Sequence, residues 1–203
     1  MRKLLFSVII LACAASFSYA QSSDYNKVDI FVGFSHNRVD TGISNNDPEL
    51  DDVIDEREGF NGFNASVTGN VTRYVGIKGD YSFHRKSFSD SFGGVTADVD
   101  ADLHQLFGGV QFKDNSKETK LKPFAHLMAG FARGKSDATV TGIPGFTSFE
   151  ETETGFAGII GGGVDIRLSP RVDFRAIQFD YNPTRLGDST QHNFRVGIGI
   201  VFR

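Results

Sequence analysis

Three histidines, His84, His104 and His126, carry imidazoles that could bind a metal ion. No two of them stand at a ligand spacing, so hydrogen bonding is the expected role, and neither a metal nor a cofactor is expected. The acids between Asp47 and Glu58 could offer oxygens to Ca²⁺, but the stretch lacks the glycine and the spacing of an EF-hand loop. A solvated acidic loop is the simpler reading. The run Gly155–Gly163 suggests a phosphate loop, yet neither Lys-Ser/Thr nor a helical pattern follows it. Asp188, Ser189 and His192 lie close together, as a hydrolase would need, without a recognisable set of oxyanion donors. No catalytic residue is assigned.

The elements that must position these groups are read from composition and pattern. The chain has 203 residues, 23 glycines, 20 phenylalanines and no tryptophan. So much glycine and phenylalanine argues against a helical protein. Met1–Ala20 reads as a secretory signal: Arg2 and Lys3, the apolar run Leu4–Ala12, then Ser18-Tyr19-Ala20 as a small-residue cleavage site. Its apolar run is too short to span a bilayer, which takes about 20 residues. A rival reading makes Cys13, after Ile10-Leu11-Ala12, a lipidation site. Cleavage after Ala20 removes two bases and no acid, leaving 19 bases against the 25 acids. Such an acidic chain is a poor binder of nucleic-acid phosphate, which needs clustered Lys and Arg.

Residues 21–203 form one domain in which two-residue alternation recurs eight times. The segments are Val28–Asn37, Phe60–Asn70, Tyr74–Arg85, Asp102–Gln111, Leu121–Arg133, Thr154–Leu168, Val172–Asn182 and Phe194–Arg203. In Tyr74–Arg85, Val75, Ile77, Tyr81 and Phe83 face one way, while Lys78, Asp80, Ser82 and His84 face the other. Phe107 is out of step in its segment. In Val172–Asn182 the apolar positions change parity, which a bulge near Arg175–Ile177 repairs.

The connections alternate as well. Arg38–Glu58, Ser87–Ala101, Ser136–Glu153 and Pro183–Thr190 are long or intermediate; Val71–Arg73, Asp114–Lys120 and Ser169–Arg171 are short. Outer-membrane barrels are built this way, with short periplasmic turns and longer extracellular loops. Hydrocarbon offers no partner to backbone N–H and C=O groups, so a sheet in lipid must close on itself. The fold expected is all-β, an eight-stranded antiparallel up-and-down transmembrane β-barrel. Its lumen would enclose Asp29, Lys78, Asp80, His84, Lys122, His126, Asp165, Arg167 and Arg195. A soluble core of that composition is excluded by the several kcal/mol that each unpaired buried charge costs.

On strand count, loop alternation and its last strand, the chain resembles the OmpA/OmpX-like family of small eight-stranded outer-membrane barrels. Outer-membrane proteins of that kind end in a strand read by the barrel-assembly machinery, and Arg195, Gly197, Ile200 and Phe202 match its polar, glycine, hydrophobic and aromatic positions. Arg203 departs from the pattern by following the aromatic. The absence of tryptophan is a second departure, leaving Tyr74, Tyr81, Tyr181 and the phenylalanines for the interfacial girdles. The resemblance implies an exported, monomeric, integral outer-membrane protein that contacts membrane lipid and, during biogenesis, the assembly machinery.

Strand number limits function, because a barrel of about eight strands is only wide enough for side chains or one small ligand to fill it. A plugged barrel displaying acidic outer loops in a structural or surface-contact role is the leading expectation. The alternative is transport of a small, hydrophobic solute, with Gly161, Gly163, Gly197 and Gly199 marking a thin wall. A soluble lipocalin-like carrier would also have eight strands, but with apolar residues inside and polar ones outside.

Overall fold

A computed structural model describes residues 24–40, 57–92, 94–142, 148–186 and 189–203. The expected signal segment Met1–Ala20, Cys13 and the acids Asp47–Glu56 lie outside them. The strands are β1 (Val28–Asp40), β2 (Arg57–Asn70), β3 (Val75–Phe92), β4 (Val95–Lys113), β5 (Leu121–Thr141), β6 (Ser148–Ser169), β7 (Val172–Leu186) and β8 (Ser189–Phe202). Each pairs with its sequence neighbour, and β1 closes on β8 with Ile30 opposite Phe202. The eight strands and their antiparallel closure are as the alternation predicts. No helix among the described residues is long and apolar enough to cross a membrane.

The strands are longer than expected at one end. Much of Ser87–Ala101, Ser136–Glu153 and Pro183–Thr190, read as loops, is ladder: Phe92 pairs Val95, Thr139 pairs Ser148 and Leu186 pairs Ser189. These extensions carry no clean apolar face, so alternation does not reveal them. Polar cross-strand contacts hold them instead, among them Ser87 to Asp100, Ser91 to Thr96 and Lys135 to Glu150. Gly94 and Gly142 take positive φ angles of 85° and 97° where two hairpins turn, a conformation closed to most residues. β6 runs for 22 residues. A bilayer needs about 9–11, so roughly half of β6 stands beyond it.

The opposite end is tight. Thr72 Oγ1 accepts from the N–H of Val75, and the N–H groups of Val71 and Thr72 both donate to the Val75 carbonyl. Arg73 grips Asp114 with two nitrogens, at 2.9 and 3.2 Å, tying the turn before β3 to the one after β4. Thr119 Oγ1 and the Ser116 N–H donate to the same carboxylate. Foremost through the Arg73 hydrogen bond, this holds the Asp114 carboxyl well below the usual carboxylate range. Residues 24–27 cross this end, with the Asn26 N–H bonded to the Asn115 carbonyl.

The parity change in β7 is a bulge, where the sequence pattern places it. Val164 pairs Ile177 but Asp165 pairs Arg175, and opposite them Arg175 pairs Gly199 while Gln178 pairs Gly197. Ala176 is the extra residue. The bulge turns Arg175 and Gln178, three positions apart, into the same interior.

Candidate functional site

Which face of each strand meets the interior decides what the molecule can do. Outside, Ile30, Val32, Phe34, Ile77, Leu106, Leu127, Phe131, Ile160, Phe179 and Ile198 are exposed. Inside, the largest fully buried side chains include Arg175, Arg195, Lys78, Lys122, His84, Gln105 and Gln178. A water-soluble protein has the opposite arrangement. The candidate functional site is therefore the lumen, together with the wall around it.

Eight of the nine charged or titratable residues expected in the lumen, namely Asp29, Lys78, Asp80, His84, Lys122, His126, Asp165 and Arg195, are buried there. The ninth, Arg167, corrects the expectation. It is partly exposed near the short-turn end, where the β6–β7 register slips after it, and it has no ion pair among the described residues. Five partners missing from the sequence reading complete the network: Lys113, Asp173, Arg175, Asp180 and Arg203.

The network has two connected levels. At the middle, Arg195 donates from Nε and Nη2 to Asp180, at 2.9 and 2.7 Å, and from Nη1 to Asp80 at 3.1 Å. Asp80 also accepts from Asn64 at 2.8 Å and faces Lys78 Nζ at 3.4 Å. His126 bridges the group, with Nε2 at 2.8 Å from Asp180 and Nδ1 at 3.3 Å from Lys78. Gln178 donates to Asp180 and accepts from Arg175, both at 2.7 Å, linking this level to the next. There Arg175 binds Asp165 with Nε at 2.7 Å and Nη2 at 3.2 Å. Its guanidinium is clamped between the rings of Phe31 and Phe124, 4.2 and 4.1 Å from their centroids. Lys113 joins Asp165 to Asp29, and Arg203 with Lys122 reaches Asp173.

Two inward aromatics, Phe31 and Phe124, thus form the walls of an arginine slot, and Phe107 turns inward as well. Glycines opposite them make the room. A Cβ on Gly199 would come within 2.8 Å of the Phe31 ring, and one on Gly163 within 2.9 Å of the Phe124 ring. A Cβ on Gly161 would meet the Asp180 carboxylate at 2.1 Å. Gly161, Gly163 and Gly199 thus make room for interior side chains, whereas a Cβ on Gly197 would meet nothing closer than the Phe34 carbonyl at 3.5 Å.

Above the ionic levels, Leu103, Phe107, Met128, Ala132, Ala157 and Ile159 form an apolar cluster inside the barrel. Over it, at the end with long hairpins, lies a cavity of about 260 Å³ lined in part by Val39, Phe60, Leu103, Glu151 and Glu153. The other chemical candidates are accounted for locally. His84 Nε2 lies 2.7 Å from Ser35 Oγ, and His104 and His192 each share a hydrogen bond with a tyrosine hydroxyl. Gly155–Gly163 is the middle of β6. Among the described residues, no group of three His, Cys, Asp or Glu side chains is placed to hold a metal ion. Of the residues matching the assembly signal, Arg195 and Gly197 are buried, Ile200 is half-buried and Phe202 is exposed on the outer wall.

The model of one protein family, the outer membrane protein beta-barrel domain, matches residues 8–202. No curated protein matches the chain. Among solved structures, the chain is similar to Ail, the attachment invasion locus protein of Yersinia pestis. The TM-score is 0.58 at 19% identity, covering 86% of this chain and 97% of that one. It is also similar to Neisserial surface protein A, with a TM-score of 0.56 at 12% identity, covering 89% and 99%. At such identities the likeness is one of fold.

Proposed function

From the premise that this chain belongs to the outer membrane protein beta-barrel domain family, we propose that it is a plugged, non-enzymatic barrel that presents acidic hairpins at the cell surface. The observation that carries this reading is the Arg175 slot. A guanidinium held by two rings, by Asp165 and by Gln178 fills the lumen with groups bonded to one another. At the far end, Asp90, Asp98, Asp100, Asp137, Glu150, Glu151 and Glu153 crowd the projecting parts of β3–β6. In this reading the short turns face the periplasm and these acids face outward, where they favour contacts with cationic partners. Met1–Ala20 directs export, and the final strand, through Arg195, Gly197, Ile200 and Phe202, is the segment engaged by the assembly machinery. The finished barrel works as a monomer in contact with lipid.

Purified protein in planar bilayers is expected to give no steady, porin-sized conductance. A steady conductance of that size would sink the proposal. One observation favours the transport alternative: the apolar cluster under the cavity of about 260 Å³ could receive a small apolar solute. On that reading, liposomes carrying the protein would swell in such a solute; on ours they do not.

A further inference from the structure

The outer wall of β3–β6 is not uniformly greasy. A crevice of about 150 Å³ is lined in part by Tyr81, His104, Leu106, Phe131, Arg133 and Thr154. His104, Arg133 and Thr154 are neighbours across three strands, at the end of the apolar wall nearest the long hairpins. Tyr81 Oη lies 2.9 Å from His104 Nδ1, and the Phe83 ring packs 4.7 Å from the imidazole. With the hydroxyl donating to Nδ1, the ring proton sits on Nε2, which makes no hydrogen bond among the described residues. Arg133 is exposed and makes no ion pair among them. Below the row Tyr81, Leu106 and Phe131, four residues along the strands from His104 and Arg133, Gly79, Gly108 and Ala129 lie side by side on the outer face. They are exposed, and nothing lies within 4 Å of where a Cβ on Gly79 or Gly108 would be.

We propose that this crevice binds a lipid of the outer leaflet that carries a phosphate monoester. His104 Nε2–H, the Arg133 guanidinium and the Thr154 hydroxyl hold the phosphate, and an acyl chain lies in the smooth lane over Gly79, Gly108 and Ala129. Arginine suits a phosphate because its parallel N–H groups match two of the oxygens. The donors sit directly at the rim of an apolar wall, so the ligand must be charged at one end and greasy along its length. A free anion would leave the lane bare. The inference rests on the outer wall being lipid-facing, as the proposed function requires. The wall also holds an internal control: Tyr181 and His192 make the same pairing on β7 and β8, but Phe179 and Val196 fill the positions below them.

The test is native mass spectrometry of the folded barrel released from maltoside micelles, with folding checked by heat-modifiable gel migration. Phosphatidic acid, diacylglycerol with the same chains, and inorganic phosphate are offered separately. Phosphatidic acid is expected to be retained roughly tenfold more than diacylglycerol, with inorganic phosphate not retained. Arg133→Gln with His104→Gln should remove that preference, and Gly108→Leu should weaken retention by filling the lane. His192→Gln should change nothing. Equal retention of the two lipids, retention untouched by the Arg133 and His104 changes, or inorganic phosphate binding as well as the lipid would overturn the proposal. So would an equal loss from His192→Gln. A barrel that folds normally but fails these arms sinks the lipid site alone, whereas failure of the gel shift sinks the lipid-facing wall itself.

Discussion

Arg195→Ala is expected to destabilise the folded barrel by about 3–5 kcal/mol, the cost of leaving buried charges without a partner. Two carboxylates depend on this guanidinium. Asp180 takes two of its hydrogen bonds and Asp80 takes one, and all three side chains are essentially inaccessible. At an effective dielectric near 20, a pair at about 4 Å attracts by roughly 4 kcal/mol. That roughly offsets the desolvation the three groups suffer, so the network adds little net stability while intact. Its fragility appears only when one member is removed. Adding Asp180→Asn to Arg195→Ala should therefore recover part of the loss, because one orphaned charge goes with it. The folded fraction against urea in phospholipid vesicles, read by gel mobility, measures both variants. Arg171→Ala, in an exposed turn, is the control and should leave the midpoint unchanged. If Arg195→Ala behaved like that control, the lumen would have to be wet enough to solvate Asp180 by itself.

Leu127→Arg should be the second large effect, destabilising the barrel in vesicles by about 2–4 kcal/mol. Leu127 lies well inside the apolar stretch of β5 and is 58% exposed. In water, a charge at so exposed a position is nearly neutral. In hydrocarbon it must be desolvated or must deform the bilayer to reach the headgroups. Leu121→Arg offers a graded comparison. It is equally exposed at 59% but opens β5 at the short-turn end, where the cost should fall to about 0–1 kcal/mol. The same urea titration applies. Equal, small effects at both positions would mean that Leu127 faces water.

What the sequence made legible follows from where lipid acts. Hydrocarbon disfavours polar groups on the outer face and closure forbids an edge, so the eight spanning segments carry a period of two, broken at Phe107 and at the β7 bulge. Beyond the bilayer both faces of a strand meet water and the constraint lapses. Ser87–Ser91 and Thr96–Asp100 then read as loop although they pair residue by residue. Inside the lumen, parity tells which residues point inward but not which of them meet. Asp180 and Arg175 flank a bulge where parity itself changes, and Lys113 and Arg203 sit at strand ends, where a pattern has too few residues to show. Arg203 was visible only as a departure from the expected terminal aromatic; it is a ligand of Asp173, at 3.1 Å. The inward rings left a faint trace. Ile30-Phe31-Val32 and Leu106-Phe107 are apolar at consecutive positions, which a half-lipid strand has no reason to be unless the odd member has an interior task. The glycines Gly163 and Gly199 are the complement of those rings. The lipid crevice could not be read at all, because it depends on the register of three strands that alternation does not supply.

The inverted arrangement of the two faces is tested most directly by nitroxide labels placed in turn at positions 126, 127, 128 and 129, in vesicles. Collision rates with oxygen, which concentrates in hydrocarbon, and with a water-soluble nickel chelate are compared at each site. Labels at 127 and 129 should be relaxed strongly by oxygen and hardly by nickel, and those at 126 and 128 weakly by both. Strong nickel collision at 127 and 129 would contradict the whole account.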